Sequence, residues 1–146
     1  MIKKCILAMW LALSSLGLYA DIDANYEFKG RHFVASYLSC DRDRISNIEE
    51  LKKAFLAAVN ASGATVLDTA DYVFAPDGLT MVVLLSESHA SIHTYPEHNA
   101  CFIDLFTCGS SCDADKFDEA LQDYLKPEII HSTLFDRSQN GVVDIE

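Results

Sequence analysis

The chain has 146 residues, half of them hydrophobic, and carries 22 Asp+Glu against 11 Lys+Arg for a formal charge of −11. That length suits one small domain, and the apolar share supports a packed core over a disordered chain. The acidity excludes a protein that tracks nucleic-acid phosphates, and six Gly with three Pro exclude collagen-like or linker-rich sequence.

The first twenty residues differ from the rest. Lys3 and Lys4 precede an apolar run, Cys5 to Leu13, followed by Ser14, Ser15, Gly17 and the small residue Ala20. This is the layout of a secretory signal cut after Ala20, and its removal leaves a still more acidic domain over 21–146. The other reading is a start codon assigned upstream of a cytosolic protein. The run is too short for a span of about 20 residues, and no Cys follows the cut, so no stable membrane anchor is expected. Cys5 lies in this segment, and Cys40, Cys101, Cys108 and Cys112 belong to the domain. In an exported chain these four permit two disulfides. Cys108-x3-Cys112 is a lone pair that fits no zinc pattern.

Arg31 to Cys40 is rich in β-formers and reads as a strand. Ser46 and Glu49 fit a capping box, and Ile48, Leu51, Phe55, Ala58 and Val59 then recur at helical spacing until Gly63. Thr65 to Phe74 reads as a strand, Pro76-Asp77-Gly78 as a turn, and Leu79 to Leu85 as a buried strand. Ser91 to Tyr95 continues in extended form until Pro96, and Ala100 to Cys108 is a further strand. Asp113 to Leu125 reads as a helix with Phe117, Ala120, Leu121, Tyr124 and Leu125 on one side, stopped by Pro127. Glu128 to Phe135 is a last strand, and the tail to Glu146 reads as loose. Two helices among five or six strands with short connections predict an α+β fold: a two-layer sandwich, mostly antiparallel, with both helices on one sheet face. The apolar run Leu79–Leu85 also predicts that the other face is covered, hence self-association.

Chemistry concentrates between Gly78 and Gly109. Ser86-Glu87-Ser88-His89 follows an apolar strand, then come His93, Thr94, Glu97 and His98, and a second strand ends in Thr107-Cys108-Gly109. Hydroxyl, imidazole, carboxylate and thiol groups at strand ends are how active sites are built. A Ser–His hydrolase would want a nucleophile elbow, which Ser88 in ESHA lacks. His89, His93 and His98 are conceivable metal ligands without an evident supporting shell. A polar loop over an ordinary core is the third reading.

GRHFVAS with Cys40-Asp41-Arg42, ASGAT at Ala61–Thr65, the Gly78-Leu79-Thr80 turn, LSESHASIHTYPE at Leu85–Glu97 and IDLFTCG at Ile103–Gly109 together resemble the short, prokaryotic-type S-adenosylmethionine decarboxylase proenzymes. The resemblance spans about Gly30 to Phe135. It implies a pyruvoyl enzyme of spermidine synthesis that cuts its own Glu87–Ser88 bond, giving chains 21–87 and 88–146. Ser88 would attack the Glu87 carbonyl and end as the pyruvoyl cofactor, which forms a Schiff base with substrate. His93 is implied as the base in processing, with Thr80, where the family commonly has serine, assisting. Cys108 is implied as the proton donor to the product carbon, a role that a disulfide at Cys108 would abolish. Phe74 and Tyr95 match aromatic positions that sandwich adenine, and Glu97 a carboxylate that holds ribose. The family's homodimer of cleaved protomers is implied as well; that no metal or nucleic acid is expected follows from the Cys and His spacings and the net charge. Tyr95 replaces a usual tryptophan, and Asp77 stands where an apolar residue is usual. Asp77, the acidity and the signal-like segment leave open a basic substrate, arginine or ornithine, because S-adenosylmethionine is a cytosolic metabolite. A non-catalytic binding homologue is the remaining alternative.

Overall fold

The computed structural model describes residues 28–108 and 112–145; the expected signal segment, residues 1–20, lies outside them. In chain order the elements are β1 (Lys29–Leu38), α1 (Arg42–Ser46), α2 (Ile48–Ala61), β2 (Val66–Phe74), β3 (Gly78–Leu85), β4 (Ser88–Tyr95), a 3₁₀ turn (Pro96–His98), β5 (Ala100–Cys108), α3 (Ala114–Leu125), β6 (Ile129–Ser138) and β7 (Gly141–Asp144). The strands form one seven-stranded sheet in the order β2-β3-β4-β5-β1-β6-β7, and every pairing is antiparallel. Helices α2 and α3 pack together on one face, which gives the expected two-layer α+β architecture.

Alternation along the strands sorts side chains between the two faces. Phe33, Ala35 and Tyr37 of β1, Met81 and Val83 of β3, Ala90 and Ile92 of β4, and Ile103 and Leu105 of β5 point at the helices and are buried. Phe117 of α3 sits at the centre, edge-on to Phe33 at 6.1 Å and to Phe55 of α2 at 5.8 Å. Leu121 and Leu125, one and two turns further along α3, complete its buried stripe.

Four sequence expectations are corrected. The capping box is out of register by one residue: Asn47, not Ser46, caps α2, its side chain accepting from the Glu50 N–H. Ser46 instead ends α1, a one-turn helix capped by Asp41, which accepts from the N–H groups of Asp43 and Arg44. The run Leu79–Leu85 is buried by its own chain on one side alone. Val82 and Leu84 point to the helix-free face and are 41% and 52% exposed, and Phe102 of β5, two strands away, is 50% exposed. The tail is not loose, because Gly141 at φ 109° turns the chain back and β7 pairs Val142 with Arg137.

The last correction concerns the polar segment. Strand β4 begins at Ser88, not Ser91, and Leu85 pairs directly with Ser88. Ser86 and Glu87 are therefore a two-residue hairpin turn.

Candidate active site

The β3–β4 turn is stapled at several points. The Ser86 N–H donates to the Thr65 carbonyl at 3.0 Å. The Thr65 N–H in turn donates to Glu87 Oε2 at 2.9 Å. The segment Ala61–Thr65 thus anchors the turn from the helix side. Burial acts to raise the Glu87 carboxyl pKa, but hydrogen bonds from Ser86 and Thr65 outweigh it and hold the group ionised below its ordinary range.

Glu87 presents its carbonyl to the end of β5. The Cys108 N–H donates to Glu87 O at 2.9 Å. The Cys108 thiol donates to the same oxygen, also at 2.9 Å. Two donors converging on one peptide oxygen polarise that carbonyl and are placed to stabilise negative charge on it. The next residue, Ser88, has φ 150°, a conformation that costs a residue with a side chain about 1–3 kcal/mol. Its Oγ lies 3.4 Å from His89 Nδ1. The Glu87–Ser88 peptide thus combines a strained backbone, an adjacent hydroxyl and a carbonyl oxygen that accepts two hydrogen bonds.

Ser88 and Cys108 both border a cavity of about 350 Å³ whose wall includes Gly30, Phe106 and Arg137. The Arg137 guanidinium lies 4.5 Å above the Phe106 ring. Gly30 is required for this packing: a Cβ there would come within 2.6 Å of the Phe106 ring. Two larger hollows, one beside Val34–Ser36 and one between Ser62 and Cys112, are bordered by neither residue.

The structure gathers the remaining candidates at the other end of β4. Thr80 of β3 and His93 of β4 are a cross-strand pair, and Thr80 Oγ1 is hydrogen-bonded to His93 Nδ1. Phe74 is edge-on to His93 at 5.9 Å, and Tyr95 at 4.7 Å. Glu97 follows in the 3₁₀ turn and is exposed. His93 is five residues from Ser88, which in a strand is about 16 Å. Each copy of the chain therefore carries two separate clusters: Glu87–Ser88–Cys108, and Phe74–Thr80–His93–Tyr95. His89 is the imidazole nearest to Ser88. The ESH sequence held that signal, because a residue adjacent to the strained serine cannot be far from it.

Asp77 does not offer a free carboxylate to a basic substrate: Arg42 Nη2 donates to its Oδ2 at 3.0 Å. This pairing also explains Arg42 in Cys40-Asp41-Arg42. His89, His93 and His98 form no metal site, and among the described residues no group of three or more His, Cys, Asp or Glu side chains is clustered to hold one. No helix among the described residues is long and apolar enough to cross a membrane.

Fold and site together define a two-layer α+β protein with a strained serine in a hairpin turn, facing a thiol across a small cavity. Residues 31–138 match the family model described as S-adenosylmethionine decarboxylase. A Thermotoga maritima protein named S-adenosylmethionine decarboxylase proenzyme is 38% identical over 116 residues, 80% of this chain and 89% of the relative. A Brevibacillus brevis protein of the same name is 43% identical over 103 residues, 70% of this chain and 77% of the relative. The crystal structure of the adenosylmethionine decarboxylase from Aquifex aeolicus superposes with a TM-score of 0.69 at 32% identity, covering 82% of this chain and 97% of that one. The chain belongs to the S-adenosylmethionine decarboxylase family.

Proposed function

We infer that this chain is a self-processing, pyruvoyl-dependent decarboxylase of S-adenosylmethionine, whose product is the aminopropyl donor for spermidine. The observation that carries the reading is the pair of Cys108 donors on the Glu87 carbonyl, next to Ser88 at φ 150°. Ser88 Oγ attacks that carbonyl carbon, and negative charge collects on the oxygen that the Cys108 N–H and thiol hold. Collapse breaks the C–N bond and leaves Glu87 esterified to Ser88 Oγ, with a free amine on Ser88. Loss of the Ser88 Cα proton expels the Glu87 carboxylate. Water then replaces the nitrogen, which leaves as ammonia, so Ser88 becomes a pyruvoyl group at the head of the chain 88–146. The residues present fit that group: its position borders the cavity walled by Phe106 and Arg137.

When bound to substrate the pyruvoyl carbonyl supplies an electron sink for the pair released with CO₂. The protein contributes position and a proton. Cys108 Sγ, no longer held by an intact Glu87–Ser88 peptide, is the donor to the substrate carbon. The Phe106 ring and the cavity wall exclude water from the reacting atoms. Phe74 and Tyr95 offer ring faces for adenine, and Glu97 a carboxylate for the ribose hydroxyls. Engagement of Asp77 by Arg42 removes one of the three features that favoured arginine or ornithine, leaving the acidity and the signal-like segment.

His93 and Thr80 enter through a homodimer. Both clusters sit on strands whose helix-free face exposes Val82, Leu84 and Phe102. Two copies packed through that face, in opposite directions, set the Thr80–His93 pair of one against Ser88 of the other. His93 then takes the Ser88 Cα proton, with Thr80 fixing its ring.

The substrate is tested by CO₂ release from carboxyl-labelled S-adenosylmethionine, arginine and ornithine. Release is expected from the first alone, and release from a basic amino acid alone would contradict the reading. The shared site is tested by co-folding Ser88→Ala and His93→Ala chains. Alone, the Ser88→Ala chain is not cut and the His93→Ala chain is cut at least about 10²-fold more slowly than wild type. Mixed, they regain cutting of the His93→Ala chain. No gain over the separate chains would place the proton acceptor in the same protomer.

A further inference from the structure

Cys40 follows β1 and Cys101 lies in β5, the strand next to it in the sheet. The register that pairs Tyr37 with Cys101 carries the chain past this point, and the Cys40 N–H is fixed to the Asn99 carbonyl at 2.8 Å. Both side chains are buried, at 4% and 0% exposure, within the same core cluster. The two thiols lie close enough to shift each other's pKa. Both are free thiols in this structure. The two residues stand on opposite sides of the Glu87–Ser88 bond, one in each fragment of the cut protein.

We propose that Cys40 and Cys101 form a disulfide, and that it ties together the two fragments left by self-cleavage. The tether rests on the self-cleavage reading; the disulfide itself does not. The oxidant is a small-molecule or protein disulfide. A Cys40 thiolate attacks one of its sulfurs and expels a thiolate, and Cys101 attacks the mixed disulfide and expels the second. Two protons leave the pair, and two electrons reduce the oxidant to two thiols. Contact between the two lowers the Cys40 pKa and, with burial, raises that of Cys101, an asymmetry that develops as the thiols come together and favours Cys40 as the attacker. Closure precedes complete burial during folding. The other two cysteines among the described residues are placed differently: Cys108 is held on the Glu87 carbonyl, and Cys112 precedes α3 at 7% exposure.

The link matters because the cut sheet is interleaved. Strands β1, β2 and β3 belong to one fragment and β4 to β7 to the other, with β1 inserted between β5 and β6. A covalent tie at the β1–β5 junction keeps that inserted strand from leaving.

The full chain is folded in a mixture of reduced and oxidised glutathione, alkylated, denatured, and analysed by gel and intact mass with and without reductant. The expected unreduced species is a single one carrying both fragments, lighter by two hydrogens than their sum, which reductant separates. Cys40→Ser and Cys101→Ser chains separate in both lanes, and Cys112→Ser behaves as wild type. Proteolysis of the unreduced wild type yields a linked Cys40–Cys101 peptide. Wild-type protein with both residues alkylated, or a link mapped to another pair, would overturn the proposal. A reduced lane holding one uncut chain would instead count against self-cleavage, and the linked peptide would still decide the disulfide.

Discussion

A Ser88→Ala chain is expected to remain one full-length polypeptide, without detectable CO₂ release, under conditions where the wild type is two fragments. The substitution leaves the rest of the turn intact: the Cys108 donors on the Glu87 carbonyl and the Thr65 N–H on the Glu87 carboxylate are all retained. Alanine also accepts the same backbone cost at φ 150°. What is lost is the β-oxygen, and only a β-oxygen both attacks the neighbouring carbonyl and later leaves with it. The effect is therefore a complete block and not a graded loss. Ser88→Cys is the informative companion, because a thiol attacks the carbonyl through the same ring and leaves as a thioacid. It is expected to cut, slowly. A Ser88→Ala chain that still divides at this junction would remove Ser88 as nucleophile, while failure of Ser88→Cys alone would not.

The second large effect falls on Cys108, which acts twice and in separable ways. Before cutting, its thiol is one of two donors on the Glu87 oxygen. Removing one such donor typically slows a reaction by about 10²–10³-fold. Cys108→Ala keeps the backbone N–H, so cutting is expected to continue about 10²-fold more slowly. Cys108→Ser restores a side-chain donor and is expected to cut within about tenfold of wild type. After cutting, the same position must deliver a proton, and a serine hydroxyl is a far weaker acid than a thiol. Purified, fully cut Cys108→Ser protein is therefore expected to lose at least about 10²-fold in CO₂-coupled turnover. Quench-and-gel kinetics measure the first step and labelled CO₂ the second. Cutting of Cys108→Ala at the wild-type rate would show that the thiol's contact with Glu87 is incidental.

Much of the fold was legible because local pattern and tertiary demand agree. Ala100–Cys108 reads as a strand and is one, residue for residue, since it alternates and pairs on both sides. Helix α3 follows its apolar spacing to the residue before the Lys126 cap. Misreadings arise where two signals compete. Ser46 and Glu49 imitate a capping box, yet Asp41 has already started a helical turn that Ser46 ends, and Asn47 takes over the cap. Ser46 Oγ is left buried without a hydrogen-bond partner. In the tail, Asn140-Gly141 is a turn signal whose weight depends on a partner strand, and β6 supplies one.

The candidate site was legible as composition and illegible as distance. Ser88, His93 and Cys108 all fall in one dense stretch, but the strand's rise of about 3.3 Å per residue carries His93 away from Ser88. Antiparallel pairing brings Cys108, 21 positions downstream, onto the Glu87 carbonyl instead. The contact of Thr65 with Glu87 was equally hidden, since nothing in ASGAT announces that one of its N–H groups serves a distant turn. Asp77 shows the converse: a carboxylate beside a site looks available until its Arg42 partner is placed.

The most direct test of the central claim is the intact mass of the fragment that begins at position 88. A pyruvoyl terminus makes it lighter by one ammonia than the same fragment with an N-terminal serine, and borohydride reduction of the ketone adds two hydrogens. Catalytically active protein in which residue 88 is an unmodified serine, joined to Glu87 or freed from it by simple hydrolysis, would contradict the account.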